Sequence, residues 1–138
     1  MSTLYVMDAC ALLAFLCGET GGPFVRAVLE SAYDGKAKIR MNIVNLLEVY
    51  YDIYRRVGKP KAAEELAMIK KLPIVIQSKF SNEVFEESAR LKASYKISLA
   101  DSIALAEASV SGGILLTSDH HELDVIEKQE EINFEWIR

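Results

Sequence analysis

The sequence predicts an α/β fold: a three-layer sandwich around a mainly parallel, five-stranded central sheet. Two observations carry that prediction. Short apolar runs, several rich in β-branched residues, alternate along the chain with longer stretches of helical spacing. Glycine and proline fall at many of the junctions, where turns belong. The chain has 138 residues, 51% hydrophobic and 26% charged, which fits a single domain over 1–138 with a real core and a soluble surface. No linker, repeat or low-complexity tract interrupts it.

Leu4-Tyr5-Val6-Met7 is a short apolar strand that ends at Asp8. Ala9 to Glu19 reads as helix, stopped by Gly18 and the Gly21-Gly22-Pro23 turn. A second helix runs from Phe24 to about Asp34 and ends at Gly35. Lys38-Ile39-Arg40-Met41 alternates as a strand does. From Ile43 to Arg56, Val44, Leu47, Tyr51 and Tyr54 recur at helical spacing. Gly58-Lys59-Pro60 breaks that helix, and Lys61 to Lys71 forms an amphipathic one. Pro73-Ile74-Val75-Ile76 is a strand by its β-branched residues. Ser81 precedes a helix to about Tyr95, and Ser98 caps another over Leu99–Ser111, closed by Gly112-Gly113. Ile114-Leu115-Leu116 is a strand. His120 to Asp124 reads as a loop without a role, and Ile132 to Trp136 is the last strand.

Composition bounds function. There is no apolar run of about 18 residues, the length a membrane-spanning helix needs. The N-terminal segment is apolar but lacks a basic leader and carries Asp8, so a cytoplasmic location is expected. Cys10 and Cys17 lie about 10.5 Å apart along a helix axis, too far for a disulfide. They are expected to be reduced, and no Cys/His cluster suggests zinc. A net charge of −4 argues against a sequence-reading DNA binder but not against an enzyme acting on nucleic acid. A site that holds divalent cations is itself acidic.

In open α/β sheets, ligands bind beyond the carboxyl ends of the strands. Asp8 and Asp119 fall at such ends, Asp101 lies in the first turn of the helix after Ser98, and Glu48 interrupts the apolar Val44–Tyr51 stretch. Each also has a structural use. Asp8 can cap a helix, Asp101 fits a capping box with Ser98, Glu48 can pair with a basic residue, and Asp119 can shape a turn. Tyr50, Tyr51 and Tyr54 read as core or interface residues, and the basic run Arg55 to Lys61 as a solvated corner. Four carboxylates brought to one sheet edge would repel one another unless a cation lay between them. Carboxylate oxygen with water is the ligand set that Mg²⁺ and Mn²⁺ prefer.

Four stretches together resemble the PIN-domain ribonucleases, above all the VapC-type toxins of prokaryotic toxin–antitoxin pairs. They are Tyr5 to Leu13, Asn45 to Val49, Ser98 to Ala106 and Leu115 to Asp119. The resemblance spans nearly the whole chain. It implies an acidic quartet of Asp8, Glu48, Asp101 and Asp119 as metal-binding and catalytic residues, with Thr117 as an accompanying hydroxyl. It further implies Mg²⁺- or Mn²⁺-dependent endonucleolytic cleavage of single-stranded regions of RNA, a homodimer, and a cognate antitoxin. The chain departs from the pattern at Ala9 and Cys10, where a hydroxyl residue is common, and at Leu123, where an aromatic is. Dimerisation is also expected because the Ile43–Tyr54 and Lys61–Leu72 helices carry more apolar surface than one side of a small sheet needs.

Three rivals stand beside this expectation. A non-catalytic relative that binds RNA or protein would have a poor metal site. A receiver-like phosphoryl-transfer domain would want paired acids after the first strand and a lysine after a late one. Met7-Asp8-Ala9 and Ile132-Asn133-Phe134 supply neither. A structure-specific DNA nuclease would use the same carboxylates.

Overall fold

The computed structural model describes residues 2–138. The elements follow one another as β1 (Thr3–Met7), α1 (Ala9–Leu16), α2 (Gly22–Tyr33), β2 (Ala37–Asn42), α3 (Ile43–Val57) and α4 (Lys59–Ile69). After them come β3 (Val75–Gln77), α5 (Asn82–Ser94), α6 (Leu99–Ser111), β4 (Ile114–Thr117), α7 (His120–Gln129) and β5 (Asn133–Trp136). The strands form one sheet in the order β3-β2-β1-β4-β5. Every neighbouring pair is parallel, so the sheet is wholly rather than mainly so. Among the described residues no helix is long and apolar enough to cross a membrane.

Strand alternation divides the core. Val6 and Leu115 pack with Leu91, Leu105, Leu123 and Ile126 on one side of the sheet. Met7 and Leu116 pack with Leu12, Leu29, Ile39, Met41 and Val49 on the other. Successive strand residues point to opposite faces, so the two short apolar strands β1 and β4 feed both cores at once. Lys38 and Arg40 are exposed while Ile39 and Met41 are buried. The helices of the second layer therefore leave one face of β2 to solvent, as the alternation in its sequence implies.

Strand order reverses beside β1, with β2 on one flank and β4 on the other. In doubly wound sheets the ligand crevice opens at such a point. The register pairs Met7 with Leu116. One residue further, Asp8 and Thr117 leave the ends of adjacent strands, and the Asp8 N–H donates to the Leu116 carbonyl at 3.4 Å.

Three local features differ from expectation. First, α1 stops at Leu16, short of Glu19, and α2 begins at Gly22, with Pro23 in its first turn, where proline's missing N–H is harmless. Gly21 between them has φ 91°, and a Cβ there would meet the Ile137 carbonyl oxygen at 2.7 Å, so only glycine lets the chain end close on this turn. Second, the inward face of α3 is Asn45, Leu46, Val49 and Ile53. Leu47, Tyr51 and Tyr54, whose spacing marked the helix, form an exposed stripe with Ile43. The helix is apolar on two faces, and spacing alone does not say which is inward. Third, His120–Asp124 is not a loop but the first half of α7, with Leu123 and Ile126 buried. Only two inward apolar residues in ten made its periodicity too weak to read.

Candidate active site

Three helix N-termini meet at the crevice. Asp8 is the N-cap of α1, and one carboxylate oxygen, Oδ1, accepts the Ala11 N–H at 2.9 Å. Ser98 is the N-cap of α6, and its hydroxyl accepts the Asp101 N–H at 3.1 Å. Asp119 is the N-cap of α7, and its Oδ1 accepts the Glu122 N–H at 3.3 Å. The cap foreseen for Asp8 therefore coexists with its place at the sheet edge, whereas Asp119, expected to shape a turn, caps a helix instead. For Asp101 the capping box is not closed: the Ser98 N–H is taken by Glu122 Oε2 at 3.3 Å, leaving the Asp101 carboxyl to face the crevice. The partial positive charge of the helix N-termini favours carboxylates here.

Glu48 arrives from α3, half-buried and one turn from the first inward residues. Asn45, fully buried one turn before it, donates from Nδ2 to the Ala100 carbonyl at 3.1 Å. That bond ties α3 to the first turn of α6 and so fixes Glu48 relative to Asp101. Thr117 is fully buried, and its hydroxyl accepts the Asp119 N–H at 3.1 Å, setting the chain's exit from β4.

These elements enclose a cavity of about 340 Å³. Glu48, Asp101, Asp119 and Glu122 line it, with Asp52 and Ser98 at its polar margin and Cys10, Leu13 and Tyr51 on its apolar wall. Oxygens of Asp101, Asp119 and Glu122 lie within 4.8 Å of one another. Asp8 is not part of the wall; it lies beneath it, 2% exposed, where it feels the charges of Asp119 and Glu48. Glu122 was not singled out from the sequence. The signal was there, an acid three residues after an N-cap aspartate, but a stretch read as loop has no face on which to place it.

The electrostatics are those of crowded anions. Burial pushes the Asp8 carboxyl up to about 7; the Thr117 hydroxyl and Ala11 amide oppose this, and the negative charges of Asp119 and Glu48 add to it. Burial also raises Glu48, with Glu122 and Asp119 contributing. Asp101 is raised by burial and then by its neighbours Glu122 and Asp119, while Glu122 is lowered beside Asp101. The Cys10 thiol is pushed up to about 12 by burial and then by the carboxylates around it, which removes it as a nucleophile at neutral pH. His120 is turned to other work: its ring nitrogens meet Asp124 Oδ1 and the Arg138 carbonyl, both at 2.8 Å, and it stacks on Trp136.

Among the described residues none of Asp8, Glu48, Asp101, Asp119 or Glu122 is in an ion pair; the nearby Arg55 and Arg56 are taken by Asp52. Asp8 Oδ2 is buried without any hydrogen-bond partner. Unpaired buried carboxylate oxygen is expensive. An all-oxygen donor set with an orphaned buried oxygen fits a hard divalent cation.

A family model for the PIN domain matches residues 5–128. No curated protein matches. Among solved structures, VapBC2 of Rickettsia felis bound to a promoter DNA fragment superposes with a TM-score of 0.73 at 14% identity, over 97% of this chain and 98% of that one. DNA-bound VapBC of Salmonella typhimurium gives 0.72 at 12% identity, with 100% of both chains covered. VapC20 of Mycobacterium tuberculosis, a sarcin–ricin loop-cleaving toxin, gives 0.61 at 13% identity over 80% of this chain and 86% of that one.

Proposed function

The chain belongs to the PIN domain family, and from that premise we propose that residues 1–138 form one metal-dependent endoribonuclease domain, the toxin of a toxin–antitoxin pair. The observation that carries this is the set of carboxylates gathered at the strand ends, with no ion-pair partner among the described residues and with one buried oxygen orphaned. Asp8, Glu48, Asp101 and Asp119 would hold Mg²⁺ or Mn²⁺, and Glu122 stands within reach of the same ion. A divalent ion bound there would supply a nucleophilic water at neutral pH and offset charge building on the phosphodiester.

The chain's own groups do the rest. Asp101, whose hold on its proton burial strengthens, faces the cavity beside Asp119 and Glu122, where a cation would favour its charged form. Asp119 and Asp8 are held in place by the caps they form. The Thr117 hydroxyl accepts the Asp119 amide and so orders that aspartate. The apolar side of the cavity, Ala9, Cys10 and Leu13, would limit stray water around a bound phosphodiester.

RNA is favoured as substrate because the structurally similar VapC20 is an RNA-loop-cleaving toxin. A cognate antitoxin is supported by the toxin–antitoxin complexes among the structural relatives. The exposed stripe Ile43, Leu47 and Tyr54 supports a homodimer, since an apolar patch of this kind on a small protein marks an interface. We place the protein in the cytoplasm, where both partner and substrate are made.

The test is cleavage of mixed, unstructured RNA by purified protein, with excess Mn²⁺ and with EDTA, beside single-stranded and duplex DNA of matched sequence. Cleavage of RNA alone, abolished by EDTA, is the expected result. Cleavage of structured DNA in preference makes it a DNA nuclease, and Mn²⁺ binding without any cleavage makes it a binding module.

A further inference from the structure

We propose that Tyr51 and Arg55, on the cavity rim of α3, form a nucleotide subsite in which an unpaired base beside the scissile phosphate stacks on the Tyr51 ring. This rests on the ribonuclease reading and names what holds the substrate there. Tyr51 was expected to belong to the core or an interface. Instead it lines the carboxylate cavity, the only aromatic residue among the described ones to do so, while 60% of its surface stays exposed.

Position and charge single it out from the rest of the stripe. Residues three and four apart on a helix are neighbours, so Glu48, Tyr51 and Arg55 form one row leading from the cavity to its edge. The Arg55 guanidinium lies over the Tyr51 ring, 5.9 Å from its centre. It is held there by Asp52, whose Oδ1 accepts from Arg55 Nη2 at 2.6 Å and whose Oδ2 pairs with Arg56 Nη2 at 2.8 Å. Two guanidinia against one carboxylate leave net positive charge at this edge. A cavity walled by carboxylates repels a polyanion, and the bound cation offsets that only at the reacting phosphate. Attraction for the flanking phosphates and bases has to come from the rim, and this row supplies both kinds. Aromatic faces bind unpaired bases irrespective of sequence, and arginine adds to the stack. Duplexes hide their base faces, so such a subsite would also select single strands.

The experiment uses the full chain with excess Mn²⁺ and an oligoribonucleotide cut at one bond. A set of otherwise identical substrates carries one abasic position each on either side of that bond. Tyr51→Leu should raise KM roughly 5- to 100-fold, the range of one lost base stack, with a smaller fall in kcat; Tyr51→Phe should stay within about twofold of the wild type. Wild type should lose a similar factor on the substrate that is abasic at one flanking position, and Tyr51→Leu should lose nothing further there. Arg55→Gln should raise KM and flatten its salt dependence, because fewer counterions are released. An unchanged KM in Tyr51→Leu, or losses that simply add at every abasic position, would overturn the subsite. So would a raised KM explained by lost self-association in sedimentation. A wild type that cuts no RNA at all overturns the ribonuclease reading itself, and the subsite with it.

Discussion

Removing the charge of Asp8 without removing its cap should make the metal-free protein more stable at neutral pH. Asparagine is as good an N-cap as aspartate, so Asp8→Asn keeps the bond from the Ala11 amide and changes only the charge. In the folded chain the carboxyl is raised from an ordinary 3.8 to about 7. The folded state thus holds this proton more tightly than the unfolded chain does. Between those two pH values the unfolded state binds fewer protons, so stability falls as pH rises and levels off above about 7. Over about three pH units, at about 1.4 kcal/mol each, the loss is on the order of 4 kcal/mol, an upper figure because a relaxing site takes up part of it. Urea unfolding in EDTA from pH 4.5 to 8 measures it. The wild type should weaken across that range by several kcal/mol more than Asp8→Asn, leaving the variant the more stable at pH 8. Excess Mn²⁺ should reverse the order at pH 8, because a ligand of the folded state stabilises in proportion to its occupancy. Parallel pH profiles, or a variant less stable than wild type at pH 8 in EDTA, would refute the picture of Asp8 as a buried anion awaiting a cation.

Asp101→Asn should leave metal-free stability equal or higher, since its carboxyl closes no capping box and an amide can still donate to Glu122; thermal melting in EDTA checks this, and Mn²⁺ titration should show at least a tenfold weaker affinity (about 1.4 kcal/mol). Asn45→Ala should cost roughly 0.5–1.5 kcal/mol by removing the bond from α3 to the Ala100 carbonyl, which keeps its own helical partner, and should weaken Mn²⁺ binding as well if that bond sets the Glu48–Asp101 spacing; both are read by calorimetry. Leu47→Asp, on the exposed face of α3, should keep the melting temperature within a few degrees (about 0.5 kcal/mol or less) while converting a dimer to monomer in sedimentation at tens of micromolar, roughly the range of ordinary interface affinities.

The sheet was legible because its strands are short, apolar and separated by glycine and proline, and a period of two survives even in four residues. The Leu99–Ser111 helix was legible to its ends because Ser98 and Gly112 cap it from both sides, the glycine at φ 71°. α3 was legible as a helix but not as an oriented one. Apolar residues occupy two of its faces, and the inward face includes Asn45, a residue no hydrophobic pattern would place there. The site was legible only in outline. Strand ends fix Asp8 and Asp119 from sequence, but that Asp8 lies under the cavity wall depends on how α1 packs on β4. Glu122 depended on recognising α7, whose sparse apolar residues hid it.

The aspartates that cap α1 and α7 have a consequence for how this chain can change over generations. A cap needs a side-chain oxygen and is indifferent to charge, whereas a cation ligand needs the charge. Selection for a folded protein alone would therefore accept asparagine, serine or threonine at positions 8 and 119. Positions 48 and 101, whose carboxyls cap nothing, would be left open to a wider range. A lineage that gave up the chemistry but kept the fold would carry a recognisable scar: small polar residues at the two caps, and drift at the other two. Such a scar would date the loss of activity relative to the loss of the fold, and it could be sought by replacing all four positions at random and selecting only for solubility.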